Sequence, residues 1–304
     1  RAQSSLVSAG HSTAVLRAAS YGSPMAAFQD AMAGIAYYQF IEKLDKEFEE
    51  RKDEIIENLK SLMTEILRPE NLSVSYTGER ESLETMQKQV RELKKTLHQE
   101  AVETSPAPMI CEKKNEGFMT SGQVQYAAQA GNFRKKGFAY TGALNILKVA
   151  LSYDYLWINI RVKGGAYGVM CGFTDLGNGY MVSYRDPNLA ETNEVFEKVP
   201  AYLEAFDADE RDMMKYIIGT VSELDTPLTP RAEGRRSSQA WLTDITFEQI
   251  QKERDEVLSA DCEQVREAAK MVSTVLSDGY ICAIGSEGKV EDAKDLFNEI
   301  RVLN

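Results

Sequence analysis

The chain has 304 residues, of which 43% are hydrophobic and 27% are charged, and its formal net charge is −12. This composition is typical of a globular protein of about two domains, and the acidic balance argues against a nucleic-acid partner, which needs a basic face. No apolar run is long enough to span a membrane, and the four scattered cysteines favour reduced structural thiols over a disulfide framework.

The amino-terminal part predicts helices followed by a strand. Arg1 stands where a Met is expected, and residues 1–22 lack the apolar core and cleavage site of a signal peptide, so we expect an excised part of a longer protein. Residues 25–67 place apolar side chains at helical spacing, and residues 71–77 alternate as in a half-buried strand. We interpret residues 1–78 as the carboxy-terminal part of an α+β domain.

The middle of the chain predicts a connection between two domains. Residues 79–99 form a strongly charged helical pattern, and residues 103–116 carry Pro106 and Pro108 without periodicity. We therefore assign residues 79–116 to a helix and linker, with a boundary near residue 110.

Residues 117–304 predict a more complete α+β domain. The pattern predicts strands over 123–130, 169–174, 180–184 and 280–284, with a hairpin connection at Asp175-Leu176-Gly177-Asn178-Gly179, which ends in Asn-Gly. It predicts helices over 140–153, from Asn188 to 206, from Asp207 or Asp209 to 223, and over 246–258, 261–276 and 290–300, with a loop over 225–236. The order resembles a ferredoxin-like sandwich of mixed or antiparallel sheet with helices on one face, preceded by the helical end of a second such domain.

The usual catalytic motifs are missing. The chain has two histidines, His11 and His98, and neither belongs to a spaced pair of the kind that binds catalytic zinc. A serine-nucleophile elbow and a phosphate-binding glycine loop are also absent from the sequence. We predict no metal ligands and no zinc-site catalytic residues in this chain.

The most informative segment lies between a predicted helix and a predicted strand. It reads Ile160-Arg161-Val162-Lys163-Gly164-Gly165-Ala166-Tyr167-Gly168. Gly164 and Gly165 permit an unusual backbone turn, and Arg161 and Tyr167 place hydrogen-bond donors beside it. Such a pair suits the carbonyls of an extended peptide and a developing oxyanion. The alternative interpretation is a glycine turn with an arginine salt bridge and a core tyrosine.

Three motifs in order resemble one protein family. Leu156-Trp157 with the segment from Ile160 to Gly168 looks like the substrate-holding region of the pitrilysin/insulinase superfamily. Two further segments resemble its presequence-protease branch, namely Tyr184-Arg185-Asp186-Pro187-Asn188 and the stretch from Leu224 to Pro230 with Gly234-Arg235-Arg236-Ser237. The resemblance covers most of residues 117–285 and extends less sharply to residues 19–24.

The resemblance implies a specific place within a larger zinc metalloendopeptidase. Such proteins have four homologous domains in two halves that enclose a chamber for unstructured peptides. This chain would be the end of the third domain and the fourth domain, inactive alone. Zinc would belong to the missing amino-terminal half, and Arg161, Tyr167, Gly164 and Gly165 would contact substrate. Its partners would be that half and peptide substrates, in a bacterial-type cytoplasm or an organelle matrix.

Two other functions stay open from the sequence. One is a non-catalytic scaffold or partner-binding subunit of the same superfamily. The other is an independent small-molecule binding module, which only composition favours. An intact or degenerate zinc motif upstream in the parent protein separates the first alternative from the enzyme.

Overall fold

The computed structural model describes residues 2–100, 102 and 108–303, which pack as two compact units. Unit 1 consists of Arg1–Phe40, Pro108–Asp225 and Gln251–Asn304, and unit 2 consists of Ile41–Ala107 and Thr226–Ile250. Each unit therefore joins segments that are distant in sequence. The assignment of residues 1–78, 79–116 and 117–304 to a third domain, a linker and a fourth domain stays a prediction.

Unit 1 is built on one mixed six-stranded sheet in the order β3-β4-β2-β5-β1-β6. Its strands are β1 (Glu116–Thr120), β2 (Tyr126–Asn132), β3 (Gly168–Phe173), β4 (Asn178–Tyr184), β5 (Tyr280–Ser286) and β6 (Glu299–Val302). Strand β1 is parallel to β5 and β6, whereas the β2–β4, β2–β5 and β3–β4 pairs are antiparallel. The α+β class with a mixed sheet is thus as predicted.

Fourteen α-helices occur in the described residues, of which α5, α6 and α11 lie wholly in unit 2. They are α1 (Ala2–Ser8), α2 (Gly10–Ser20), α3 (Pro24–Ala33), α4 (Ile35–Lys46), α5 (Phe48–Ile66), α6 (Arg80–Thr96), α7 (Ala143–Ala150), α8 (Ala190–Glu197), α9 (Val199–Glu204), α10 (Glu210–Leu224), α11 (Pro230–Leu242), α12 (Phe247–Leu258), α13 (Cys262–Ser277) and α14 (Glu287–Asp292). None of these helices has the length and apolarity needed to cross a membrane.

Helices cover both faces of the sheet. On one face Leu147 of α7 and Val272 of α13 share a buried cluster with Met181 of β4. On the other face Ala14 of α2 packs in a second buried cluster with Ile284 of β5. Small side chains let α2 approach the strands closely, and this second cover was not predicted because no periodic pattern was assigned to residues 10–20.

A buried ion network fixes α2 to the sheet. Arg17 of α2 donates from Nε to Glu116 of β1 at 2.5 Å and from Nη1 to Asp30 of α3 at 2.6 Å. Tyr21 donates its hydroxyl to the same Glu116 carboxylate at 3.0 Å. Both carboxylates are buried, so each needs this pairing to offset the loss of water.

Unit 2 contains an extended segment instead of the strand predicted over residues 71–77. Ser75 lies against α11, where its hydroxyl shares a hydrogen bond with Ser238, and Thr77 packs closely against Gly234. The segment therefore contacts a helix rather than joining a β-ladder. The helical pattern over 25–67 is also divided, into α3, α4 and α5.

Other sequence predictions meet mixed outcomes. The hairpin formed by β3 and β4 is confirmed. Of the two caps predicted for α10, Asp209 is the one that forms, and Asp261, where a helix was predicted to begin, caps α13. The loop predicted over 225–236 is wrong, because Thr229 caps a helix whose first residue is Pro230. The closing helix over 290–300 is also wrong, because α14 ends at Asp292 and β6 pairs with β1.

Candidate functional site

The glycine turn after residue 163 redirects the chain from a helix into β3. Helical turns of the wide π type run over Leu151–Tyr155 and Trp157–Lys163. Such turns are rare in proteins, and those that occur are often found at functional sites. Gly165 then adopts a φ of +82°, and its N–H donates to the Arg161 carbonyl at 3.0 Å. Gly164 has an ordinary φ of −83°. The glycine that the turn requires is therefore Gly165.

Arg161 is held in place by aromatic rings and by one backbone bond. Its Nη1 donates to the carbonyl oxygen of Tyr167 at 2.6 Å, and its guanidinium carbon lies 4.1 Å from the centroid of the Trp157 ring. No carboxylate of the described residues forms an ion pair with it. A guanidinium has five N–H donors, so most of them remain for a ligand. The salt bridge of the alternative interpretation is not formed within the described residues.

Tyr167 is a surface residue rather than a core residue. Its side chain is 64% exposed, and its backbone N–H donates to the Arg185 carbonyl at 3.2 Å. The ring meets Tyr184 edge to face with 5.8 Å between centroids. The phenol is therefore supported on one side and available on the other, beside the Arg161 guanidinium.

A polar cluster after β4 fixes the back of the turn. Asn188 donates from Nδ2 to the Gly164 carbonyl at 2.7 Å, while Asp186 accepts from the Asn188 N–H at 2.9 Å and from the Thr192 hydroxyl at 2.6 Å. Burial raises the pKa of Asp186 above its usual range, against the opposing effect of these hydrogen bonds. Asn188 is not the helix cap that the sequence predicted, because α8 begins at Ala190 and the Asn188 amide binds the turn.

A line of aromatic side chains, which we call the aromatic line, runs from Tyr167 through Tyr184 to Tyr126 and to His11 of α2. Tyr184 of β4 lies 5.8 Å from Tyr126 of β2 and 4.9 Å from His11 of α2, measured between ring centroids. Burial lowers the pKa of His11, so its imidazole is neutral at neutral pH. The Nδ1 atom of His11 is buried and has no hydrogen-bond partner in the described residues.

The described residues do not form a metal site. No three His, Cys, Asp or Glu side chains among them converge as a metal ion requires. His11 belongs to the aromatic line, and His98 is exposed after the end of α6. The two histidines thus lie in different units, and the described side chains do not fit a zinc ion.

Comparison with known families decides the relationship. A family model described as PreP C-terminal domain matches residues 115–287, which include the whole turn. A second model, for a region associated with peptidases of family M16, subfamily C, matches residues 1–44. The chain belongs to the M16 peptidase family, as its PreP-type C-terminal part. The resemblance inferred from the Arg161 and Tyr167 segment is confirmed at this level.

Known relatives are longer than this chain. Protein HypA of Clostridium perfringens is 38% identical over 301 residues, which are 99% of this chain and 31% of that protein. Presequence protease 1, chloroplastic/mitochondrial, of Arabidopsis thaliana is 27% identical over 301 residues, which are 97% of this chain and 28% of that protein. The crystal structure of pitrilysin is 15% identical with a TM-score of 0.45, covering 65% of this chain and 22% of that one. The chain thus spans about a third of the length of these curated relatives.

Three residues that complete this site had no assigned role in the sequence-based prediction. Trp157 stacks on Arg161 from the preceding helical turn, and the spacing of four residues is the signal that places both on one face. Tyr184 and His11 join through the tertiary packing of α2 on the sheet, for which the local sequence has no signal.

Proposed function

We propose that this chain is the substrate-binding, carboxy-terminal part of a zinc-dependent metalloendopeptidase that degrades unstructured peptides inside a closed chamber. Family membership and the relatives called presequence proteases support the reaction class. The observation that carries the proposal is the Arg161 guanidinium, which is stacked, without an acidic partner in the described residues, and adjacent to the exposed Tyr167 phenol. The zinc ion would be held by the amino-terminal part of the parent protein, and this chain alone would be inactive.

In this proposal Arg161 and Tyr167 bind the peptide backbone next to the bond that is cleaved. A peptide carbonyl accepts from the free N–H groups of Arg161 and from the Tyr167 hydroxyl. As the carbonyl carbon becomes tetrahedral, its oxygen gains negative charge, and donors that are already oriented stabilise that charge without reorganising. Such donors lower the barrier more than they tighten ground-state binding.

The residues around the pair act by orienting it. The Trp157 ring supports one side of the guanidinium, and the hydrogen bond from Nη1 to the Tyr167 carbonyl limits its rotation. The Asn188 amide and Gly165 set the distance between the helix that carries Arg161 and the strand that follows Tyr167. Orientation of this kind reduces the entropy that is lost when the transition state forms.

The test is cleavage of an unstructured peptide by the parent protein carrying Arg161→Ala or Tyr167→Phe. Loss of one charged hydrogen bond in the transition state costs about 2–4 kcal/mol, so we expect kcat/KM to fall about 30- to 1000-fold for Arg161→Ala. Lys163→Ala is the matched control, because this exposed cation on the same helical turn donates to Asn159 of that turn. Unchanged kcat/KM in both site variants would refute the assigned roles.

The non-catalytic alternative gives a different result. A scaffold or partner-binding subunit would bind peptide, or a protein partner, without cleaving it even when zinc is supplied. Its parent sequence would also lack the inverted zinc motif upstream of this chain.

A further inference from the structure

A groove opens between α2 and the strands β3 and β4, next to the aromatic line. Its volume is about 590 Å³, which lies within the roughly 300–1,000 Å³ typical of ligand pockets. Apolar side chains form most of its wall and floor, among them Val15, Leu16, Ala19, Met170, Tyr180 and Val182. An apolar cleft of this size, open at its mouth, suits a large hydrophobic side chain.

The groove is continuous with the Arg161 and Tyr167 site. His11 lines the groove and meets Tyr184, and Tyr184 in turn meets Tyr167. Strand β3 leads from Gly168, beside Tyr167, to Met170 in the groove. At about 3.3 Å per residue, the step from Tyr167 to Met170 is about 10 Å, which three residues of an extended peptide span.

Two features of the groove favour an extended peptide over other occupants. Strand β3 is at the edge of the sheet and pairs only with β4 in the described residues, so its outer side offers main-chain groups to an added strand. The Nδ1 atom of His11 is buried without a partner in the described part of the chain, and in the neutral ring a nitrogen that carries no proton accepts a hydrogen bond. A peptide N–H that enters the groove as far as His11 would provide the missing donor.

We propose that this groove is a side-chain subsite for the same peptide, and that it selects a large apolar residue about three positions from the carbonyl bound by Arg161 and Tyr167. Inside the groove, Nδ1 of His11 accepts a backbone N–H of that peptide. This inference rests on the proposed peptide-binding function and adds a substrate preference to it.

The test measures peptide affinity in the intact parent protein, with a chelator present to prevent turnover. The probes are fluorescein-labelled Gly/Ser-rich peptides that carry a single Phe or a single Ala at the same position, and anisotropy gives Kd. We expect the Phe peptide to bind about ten- to a hundred-fold more tightly, since the site buries a whole aromatic side chain. Equal affinity for the two peptides, or no binding of either, overturns the inference.

Variants locate the preference in the groove. Ser12 is exposed at the groove wall, so Ser12→Phe fills the space without disturbing the core and is expected to reduce the Phe-to-Ala preference below about three-fold. Ala31→Phe on the exposed side of α3 is the matched control and leaves the preference intact. His11→Phe keeps a ring in the aromatic line and removes Nδ1, so we expect it to raise the Kd of both peptides about two- to ten-fold. A preference that survives Ser12→Phe overturns the inference.

Two further readouts separate this inference from the proposed function. Arg161→Lys weakens the binding of both peptides and leaves the ratio of their Kd values unchanged. If Arg161→Lys does not change either Kd while Ser12→Phe removes the preference for Phe, the role of Arg161 is wrong and the subsite stands. A benzoylphenylalanine in place of the Phe is expected to cross-link to residues 10–20 or 168–174. Cross-linking confined to other segments contradicts the assigned location.

Discussion

The ion network under α2 gives a sharp stability prediction, tested by Arg17→Met. Arg17 is 6% exposed, and it donates to Glu116 and Asp30, which are 0% and 2% exposed. Met fills a similar volume but leaves the buried Asp30 without its arginine and leaves Glu116 with only the half-exposed Arg301, whose Nε lies 3.6 Å from the carboxylate. The packing of α2, and with it the position of His11, depends on this contact.

The size of the effect follows from the number and burial of the bonds. Arg17 makes three charged hydrogen bonds, of 2.5, 2.6 and 3.0 Å, each of which contributes about 1.5–3 kcal/mol. Protonation or movement of the carboxylates recovers part of that sum, so we expect the free energy of unfolding to fall by about 3–5 kcal/mol. This is a large part of the roughly 5–15 kcal/mol that stabilises a typical domain.

Urea unfolding followed by Trp157 fluorescence measures this change in unit 1, with the exposed Trp241 of unit 2 replaced by Phe. Lys215→Met is the matched control, because the ion pair of Lys215 with Asp212 lies on the exposed surface of α10 in unit 1 and contributes about 1 kcal/mol or less. Adding Glu116→Gln to Arg17→Met should restore part of the loss. A loss below about 1 kcal/mol for Arg17→Met would refute the reasoning.

Three further predictions concern the turn and its support. Gly165→Ala should lower the free energy of unfolding in urea by about 1–2 kcal/mol, because alanine is strained at a φ of +82°. Steric overlap adds nothing to this cost, because the nearest atom to an added Cβ, Cγ of Pro187, is 3.6 Å away. Asn188→Ala removes the bond to the Gly164 carbonyl and should cost about 1–3 kcal/mol while lowering kcat/KM of the parent protein. Burial raises the folded-state pKa of Asp186, so its contribution to stability is present at low pH and is lost as pH rises through that pKa. The stability of wild type relative to Asp186→Asn should therefore increase from about pH 7 to about pH 4, and a difference independent of pH contradicts it.

Local signals predicted the elements that local chemistry determines. The turn signal over residues 175–179 correctly predicted the β3–β4 hairpin, although the turn itself ends at Gly177 and Asn178 and Gly179 already belong to β4. Asp209, one of the two caps that the sequence offered, begins α10 because its carboxylate accepts the Asp212 N–H. The start of α11 was missed because residues 225–236 are rich in Pro and Gly and so indicate a loop, although proline is favoured at the first helical position.

Elements determined by long-range packing were not predicted. Strand β1 includes the charged Glu116, whose burial depends on distant partners, namely Arg17 of α2, Tyr21 and Arg301. Strand β6 has the sequence Glu-Ile-Arg-Val, and its pairing with β1 decides its conformation. In the site, the proximity of Arg161 and Tyr167 follows from the glycine turn between them, whereas the contact of His11 with Tyr184 depends on how α2 lies on the sheet.

The most direct test of the central claim is the zinc content of the parent protein with Arg161→Ala, measured on the sample used for its kcat/KM. We expect the zinc content per chain to equal that of wild type, because the described residues of this chain form no metal site, while kcat/KM falls about 30- to 1000-fold. Loss of zinc from the Arg161→Ala variant, or full activity of that variant, would contradict the claim that this chain binds the peptide and another part of the protein binds the metal.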